Sequence, residues 1–312
     1  MPEQPRVSDQ EDKERSDNSQ PKHAETDDGG VKVEAHGPPE PDNSAAQKNL
    51  ERPSAEEIYQ QVARSAMEEL KRRSVSLAVS GFTGGTFMGL SALGVGILAA
   101  MLGTGPKAFL VSRMLYPLGF IVVMIGRSQL FTENTLYPVA LILAEKKELW
   151  NTARLWAIVL PTNLVGALAF STLIAKTHAA PPSVVAAITQ TGSQAVQHPL
   201  WTVFWSAVVG GWLIATAAWM NSGSHSITGS VALIWVLTYM VGAGNFAHCI
   251  ASSAEIMISA LTGAIPWSAY GRWLGPAVLG NICGGVLMVT LLEYGQAIYG
   301  RDIEREVASP EK

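Results

Sequence analysis

The sequence predicts an all-α polytopic membrane protein: six transmembrane helices in an inverted 3+3 repeat, with helices two and five broken. Three observations carry this. Charge is scarce, at 15% of 312 residues, and several windows longer than eighteen residues between Val75 and Leu292 contain none. A helix of that length spans the roughly 30 Å hydrocarbon core, and these windows lack the polar faces of a buried helix in a soluble protein. Next, two long apolar segments carry polar interruptions, "RSQLFTENT" at 127–135 and "NFAHCIASSAE" at 245–255. Finally, "NLVGA" at 163–167 recurs as "NICGG" at 281–285, 118 residues later, and the same shift moves 127–135 onto 245–253. Each half then holds three helices, an odd number, so the halves are inverted. Such repeats place their sites at discontinuous helices near the bilayer midplane.

Residues 1–52 open the chain as an acidic tail. The first fifty hold twelve Asp or Glu against six Lys or Arg, with almost no aliphatic content, so they bury too little to offset ordering entropy. They also lack the apolar core of a signal peptide. Residues 53–74 change character. Ser54 and Glu57 make a capping box, and Ile58, Val62, Ala66 and Leu70 draw one apolar stripe. That pattern is an amphipathic helix lying on the membrane surface or against the bundle. It ends in Lys71, Arg72 and Arg73, which favours a cytoplasmic N-terminus.

The transmembrane domain covers 75–298, with segments at 75–102, 108–143 (interrupted), 152–176, 201–221, 228–260 (interrupted) and 273–298. An even count returns the short tail 299–312 to the cytoplasm. Lys146, Lys147, Arg154, Arg301 and Arg305 then fall inside, while the connection 177–200 has no Lys or Arg and falls outside. Gly85-x3-Gly89 and Gly280-x3-Gly284 permit close helix approach. Trp201, Trp205, Trp212 and Trp219 suit core or lipid-belt packing.

Unwound backbone at membrane depth survives only where it lines a cavity or is covered by protein, so the interruptions mark the expected permeation path. His248 lies in the second. Its imidazole either relays a proton to a passing anion or donates a hydrogen bond to an opposing carbonyl that fixes the loop. Arg127 and Glu255 are the intramembrane charges. They fit three roles: a structural pair, an anion attractor, or groups at the interface. Asn163 and Asn281 are expected to hydrogen-bond the broken-helix backbone. Cys249 and Cys283 lie 34 residues apart in apolar segments, which argues against a disulfide framework or a metal site. No phosphate loop, catalytic serine motif or metal cluster is visible, so no enzyme activity and no cofactor are expected.

With the breaks in view, "QLFTENT" (129–135) and "NFAHCIAS" (245–252) resemble the Leu-Phe-Thr loop and the Gly-Phe-Glu-His-Ser-Ile-Ala-Asn pattern of the formate/nitrite transporter family. "NLVGA" and "LGNICGG" resemble its third and sixth helices. The likeness covers residues 55–298 and points to a divergent bacterial branch. It implies an aquaporin-like six-helix protomer, a homo-pentamer with one pore per protomer, and transport of small monovalent anions. Carried onto this sequence, it implies a cytoplasmic constriction of Leu130 and Phe131 and an outer one of Tyr116 and Val241. Thr132 would hydrogen-bond toward His248, the central histidine. Ala247 stands where the family has glutamate, and Ser252 where it has asparagine.

The expectation is therefore a channel or secondary transporter for small monovalent anions or their weak acids, working through a histidine proton relay. It would lie in the bacterial inner membrane, surrounded by the lipid bilayer, with both termini cytoplasmic and no nucleic-acid partner. Two alternatives are an aquaporin-like pore for neutral solutes and a non-conducting membrane scaffold.

Overall fold

The computed structural model describes residues 53–103, 105–136, 149–286 and 295–296, and the observations below concern these. The acidic tail 1–52, segment two beyond Leu136, most of segment six beyond Val286 and the tail 299–312 lie outside them. Every regular element among the described residues is helical. Four stretches are long and apolar enough to cross a membrane: Ser74–Leu102, Pro106–Ile125, Leu149–Lys176 and Leu200–Ser222.

Helix α1 (Ala55–Lys71) starts at the capping box, where Ser54 and Glu57 each accept a hydrogen bond from the other's backbone N–H. Its stripe of Val62, Ala66 and Leu70 is buried against α5 and α7, so the amphipathic face packs on the bundle. Arg154 fastens its C-terminus, donating to the Leu70 carbonyl at 2.7 Å. Such a bond satisfies an orphan carbonyl of the last turn.

Helix α2 (Ser74–Leu102) leads to α3 (Pro106–Ser112), a 3₁₀ turn (Arg113–Leu115) and α4 (Pro117–Ile125). Pro106 and Pro117 sit at helix starts, where a missing N–H does no harm. After the first break and a 3₁₀ turn (Glu133–Thr135) comes α5 (Leu149–Lys176). The second half runs through α7 (Leu200–Ser222), α8 (Ile227–Ala243), the second break, α9 (Ala251–Leu261) and α10 (Trp267–Cys283). The largest helix contacts are α2 with α5 and α7 with α10, the corresponding pair of each half.

Glycines make these contacts close. A Cβ on Gly166 would collide with the Phe82 carbonyl, and one on Gly284 with the Val208 carbonyl. The two positions differ by 118 and their partners by 126, so the repeat extends to the first helix of each half with a slightly different offset.

The connection 177–200 is more structured than the sequence suggests. It contains α6 (Pro182–Ala195), whose Val184, Ile188 and Gly192 form a buried stripe at four-residue spacing, packed on α9 and α2. The absence of charge that placed this stretch outside also reflects a helix with an apolar face.

Candidate functional site

The two breaks are built alike. Helix α4 ends at Gly126 and α8 at Gly244, and the residues that follow, Arg127 and Asn245, both have left-handed backbones, with φ of 54° and 52°. The next N–H, of Ser128 or Phe246, donates back to Val123 O at 3.0 Å or Val241 O at 2.9 Å. Each chain thus leaves its helix through the same tight turn. Ser80 then accepts from Gln129 N at 3.1 Å, and Ser206 from Ala247 N at 3.0 Å.

Asparagines hold the unwound backbone. Asn163 accepts from Phe131 N at 2.8 Å and donates to the carbonyls of Gly81 (2.7 Å) and Gln129 (2.9 Å). Asn281 accepts from Cys249 N at 2.8 Å and donates to the carbonyls of Ala207 (2.7 Å) and Ala247 (3.0 Å). Both asparagines are fully buried. Without water, backbone groups that leave a helix need such partners.

The halves differ where they meet. Leu130 occupies in the first break the position that His248 has in the second, 118 residues on. His248 is fully buried, and its Nε2 lies 2.8 Å from the Thr132 hydroxyl of the opposite break. Its Nδ1 accepts from the backbone N–H groups of Ala251 (3.0 Å) and Ile250 (3.3 Å). The neutral ring therefore carries its proton on Nε2 and donates it to Thr132 Oγ1. The opposing group is a hydroxyl rather than the carbonyl considered above. Phe120 packs edge-on against the imidazole, with ring centroids 5.0 Å apart. Ser252 Oγ accepts from the His248 N–H at 3.3 Å.

Two cavities approach this centre. One, of about 610 Å³, lies beside α1 and is lined by Gln129, Asn134, Glu133 and Arg127 together with Asn221 at the end of α7. The other, of about 230 Å³, lies beside α6 and is lined by Tyr116, Val241, Ala247, Ser252 and Glu255, with Val203 near the start of α7. Val203 and Asn221 are roughly 27 Å apart along the helix at 1.5 Å per residue, so the cavities sit toward opposite ends of the bundle. Leu130, Phe131, Thr132 and His248 are buried and line neither cavity. Phe131 turns its ring onto Trp156 of α5, at 5.8 Å.

The two intramembrane charges chosen from the sequence do not meet. Arg127 is exposed at the α1-side cavity, because the left-handed turn after α4 carries it out of the bundle. Glu255, on α9, opens onto the α6-side cavity. Its partner is Arg113, with Nη1 3.8 Å from Oε1. Arg113 was missed. A lone arginine inside the apolar run from Phe109 to Ile125 is the signal that could have identified it.

A family profile described as "Formate/nitrite transporter" matches residues 56–295. The chain belongs to the formate/nitrite transporter family. Within that family it is 30% identical over 247 residues to the Escherichia coli "Inner membrane protein YfdC", covering 77% of each chain. The fold matches a solved "FNT family ion channel" at a TM-score of 0.70 and 20% identity, over 77% of this chain and 98% of the other. It also matches a "Pentameric formate channel with formate bound" at a TM-score of 0.60 and 19% identity, over 76% of this chain and 98% of that one. A formate/nitrite transporter is thus a membrane transporter or channel by family, and the described helices have the length and apolarity such a role needs.

Proposed function

We propose that this chain is a bacterial inner-membrane channel or secondary transporter for small monovalent anions or their weak acids, formate among them. The path runs through each protomer of a homo-pentamer, between six spans of which the second and fifth are broken. The carrying observation is the 2.8 Å contact between Thr132 and His248. It joins the two breaks at a seal between cavities toward opposite ends of the bundle. The solved pentameric formate channel of like fold supports both the substrate class and the assembly. In this reading the α1-side cavity faces the cytoplasm, because the helix that borders it ends in Lys71 and Arg72, with Arg154 bonded to its Leu70 carbonyl.

An anion crossing the seal loses its hydration, so passing as the neutral acid avoids most of that penalty. In this reading a proton reaches the anion at the His248–Thr132 pair. Nδ1 already accepts two backbone N–H bonds, so a second proton on the ring must displace the first turn of α9 from it. Proton uptake and loop movement are then one event.

A second reading is an aquaporin-like pore for neutral solutes. It draws on the same Nδ1 bonds, which hold the ring neutral, and on Ala247, which puts no carboxylate beside it. Purified protein in liposomes separates the readings. The anion pathway predicts formate influx that grows as external pH falls, above the leak of empty liposomes. Equal flux of glycerol at every pH supports the neutral pore. Flux of neither leaves a non-conducting scaffold.

A further inference from the structure

The α6-side cavity contains a charged pair that the seal does not use. Arg113 and Glu255 are 4% and 5% exposed. At 3.8 Å their contact is an ion pair but too long for a hydrogen bond. The Arg113 Nε–H is buried without a hydrogen-bond partner, and so is the Tyr116 hydroxyl. The guanidinium rests on the Phe109 ring, its Cζ 4.7 Å from the centroid. A guanidinium at this depth is normally tied down by acceptors on several sides. Here one carboxylate engages it loosely and the Nε edge is left over, in a residue that lines a 230 Å³ cavity. The Nε–H is closed off from solvent as the side chain stands; with the loosely held Glu255 moved aside, the paired N–H groups of the guanidinium match the two oxygens of a carboxylate or of nitrite.

Charge balance adds a second consequence. Arg113 and Glu255 together are neutral, so an anion on the guanidinium leaves two negative charges against one positive. The other ionisable groups at the cavity are Tyr116 and His198, with the buried Cys249 thiol beyond them. The elements packed on α9 add Lys176 of α5, which donates to the Leu261 carbonyl at the far end of the helix, and the Tyr270 hydroxyl of α10, which donates to Ser253; the others are uncharged, with Ser171 from α5, Gly192 from α6, Trp273 from α10 and an α2 that carries no acid or base. A proton from solvent, bound by the Glu255 carboxylate, restores neutrality and turns that group into a donor.

We propose that the α6-side cavity is a binding site for a two-oxygen monoanion, held by Arg113, and that Glu255 takes up one proton as the anion displaces it. The proposal rests on the anion-pathway reading and adds to it a recognition residue and a proton stoichiometry at a place distinct from His248.

Calorimetric titration of the full-length protein in detergent with sodium formate, repeated in buffers of different ionisation heat, gives both affinity and protons taken up. The expected result at neutral pH is one proton per formate. Arg113→Lys keeps the charge but loses the fork, and weakens formate binding about tenfold or more while chloride binding moves less than twofold. Glu255→Gln binds formate more tightly and takes up no proton, whereas His248→Asn retains the uptake. Formate binding without proton uptake in the unmodified protein overturns the proposal whatever the variants do, as does the absence of formate binding. Unchanged affinity in folded Arg113→Lys does the same. Liposome flux distinguishes the two readings. Conduction without a proton-coupled site overturns this inference alone; the site without conduction overturns the pathway.

Discussion

Asn163 and Asn281 make the same three hydrogen bonds in the two halves of the molecule: one accepted from the backbone of a break, two donated to carbonyls of the break and of the half's first helix. Each asparagine therefore sets the distance between three segments at once. Asn163→Ala and Asn281→Ala should each leave one N–H and one carbonyl of the break unpaired in a dry core, and take a second donor from a carbonyl of the half's first helix. At about 1–3 kcal/mol per stranded group, each variant should lose roughly 3 kcal/mol or more. Thermal unfolding in detergent should show similar losses for both, and a loss below about 1 kcal/mol in either would remove it as a backbone clamp.

Gly166 and Gly284 make a matched pair of a different kind. A Cβ at either would strike a carbonyl of the neighbouring helix, Phe82 or Val208, and backbone atoms yield little. Gly166→Ala and Gly284→Ala should each separate their helix pair and destabilise by about 1–3 kcal/mol, the usual range for overpacking. Denaturation midpoints compared with Gly271→Ala, where a Cβ meets only open space, provide the internal control.

The left-handed turns at Arg127 and Asn245 make an asymmetric prediction. A non-glycine residue at positive φ is strained by roughly 1 kcal/mol or more, and asparagine by less. Arg127→Gly should stabilise by about 0.5–1 kcal/mol, and Asn245→Gly by a smaller amount. Destabilisation by Arg127→Gly would mean that the arginine makes contacts in the α1-side cavity that outweigh the strain.

How much of this was legible beforehand follows from local against through-space information. The 118-residue offset linking "NLVGA" with "NICGG" maps Arg127 onto Asn245 and Leu130 onto His248, because the repeat is carried by small residues and asparagines that backbone geometry demands. Residues 177–200 were read as a connection because they lie between two spans and hold no Lys or Arg; only the packing of α6 against α9 shows the buried stripe. The partner of Glu255 was misjudged for a similar reason. Arg113 lies within the apolar run Phe109–Ile125 and Arg127 just after it, and hydropathy cannot tell which of the two turns inward. That choice is made by the left-handed turn at Arg127 and by folding that brings Arg113 to a residue 142 positions later.

Thr132 offers a graded test of the contact between the breaks. Thr132→Ser keeps the hydroxyl and should retain most formate flux. Thr132→Val keeps the shape, strands the His248 Nε2–H, and should reduce flux about tenfold or more in liposome assays. Equal loss in both variants would point to packing of the methyl group instead of the hydrogen bond.

The most direct test is formate influx into liposomes at two external pH values, one unit apart, for the unmodified protein and for His248→Asn. Influx through the unmodified protein should rise as pH falls, and His248→Asn should abolish most of it and flatten what remains. An asparagine variant that conducts formate at the unmodified rate, with the same response to pH, would contradict the placement of His248 on the anion's path.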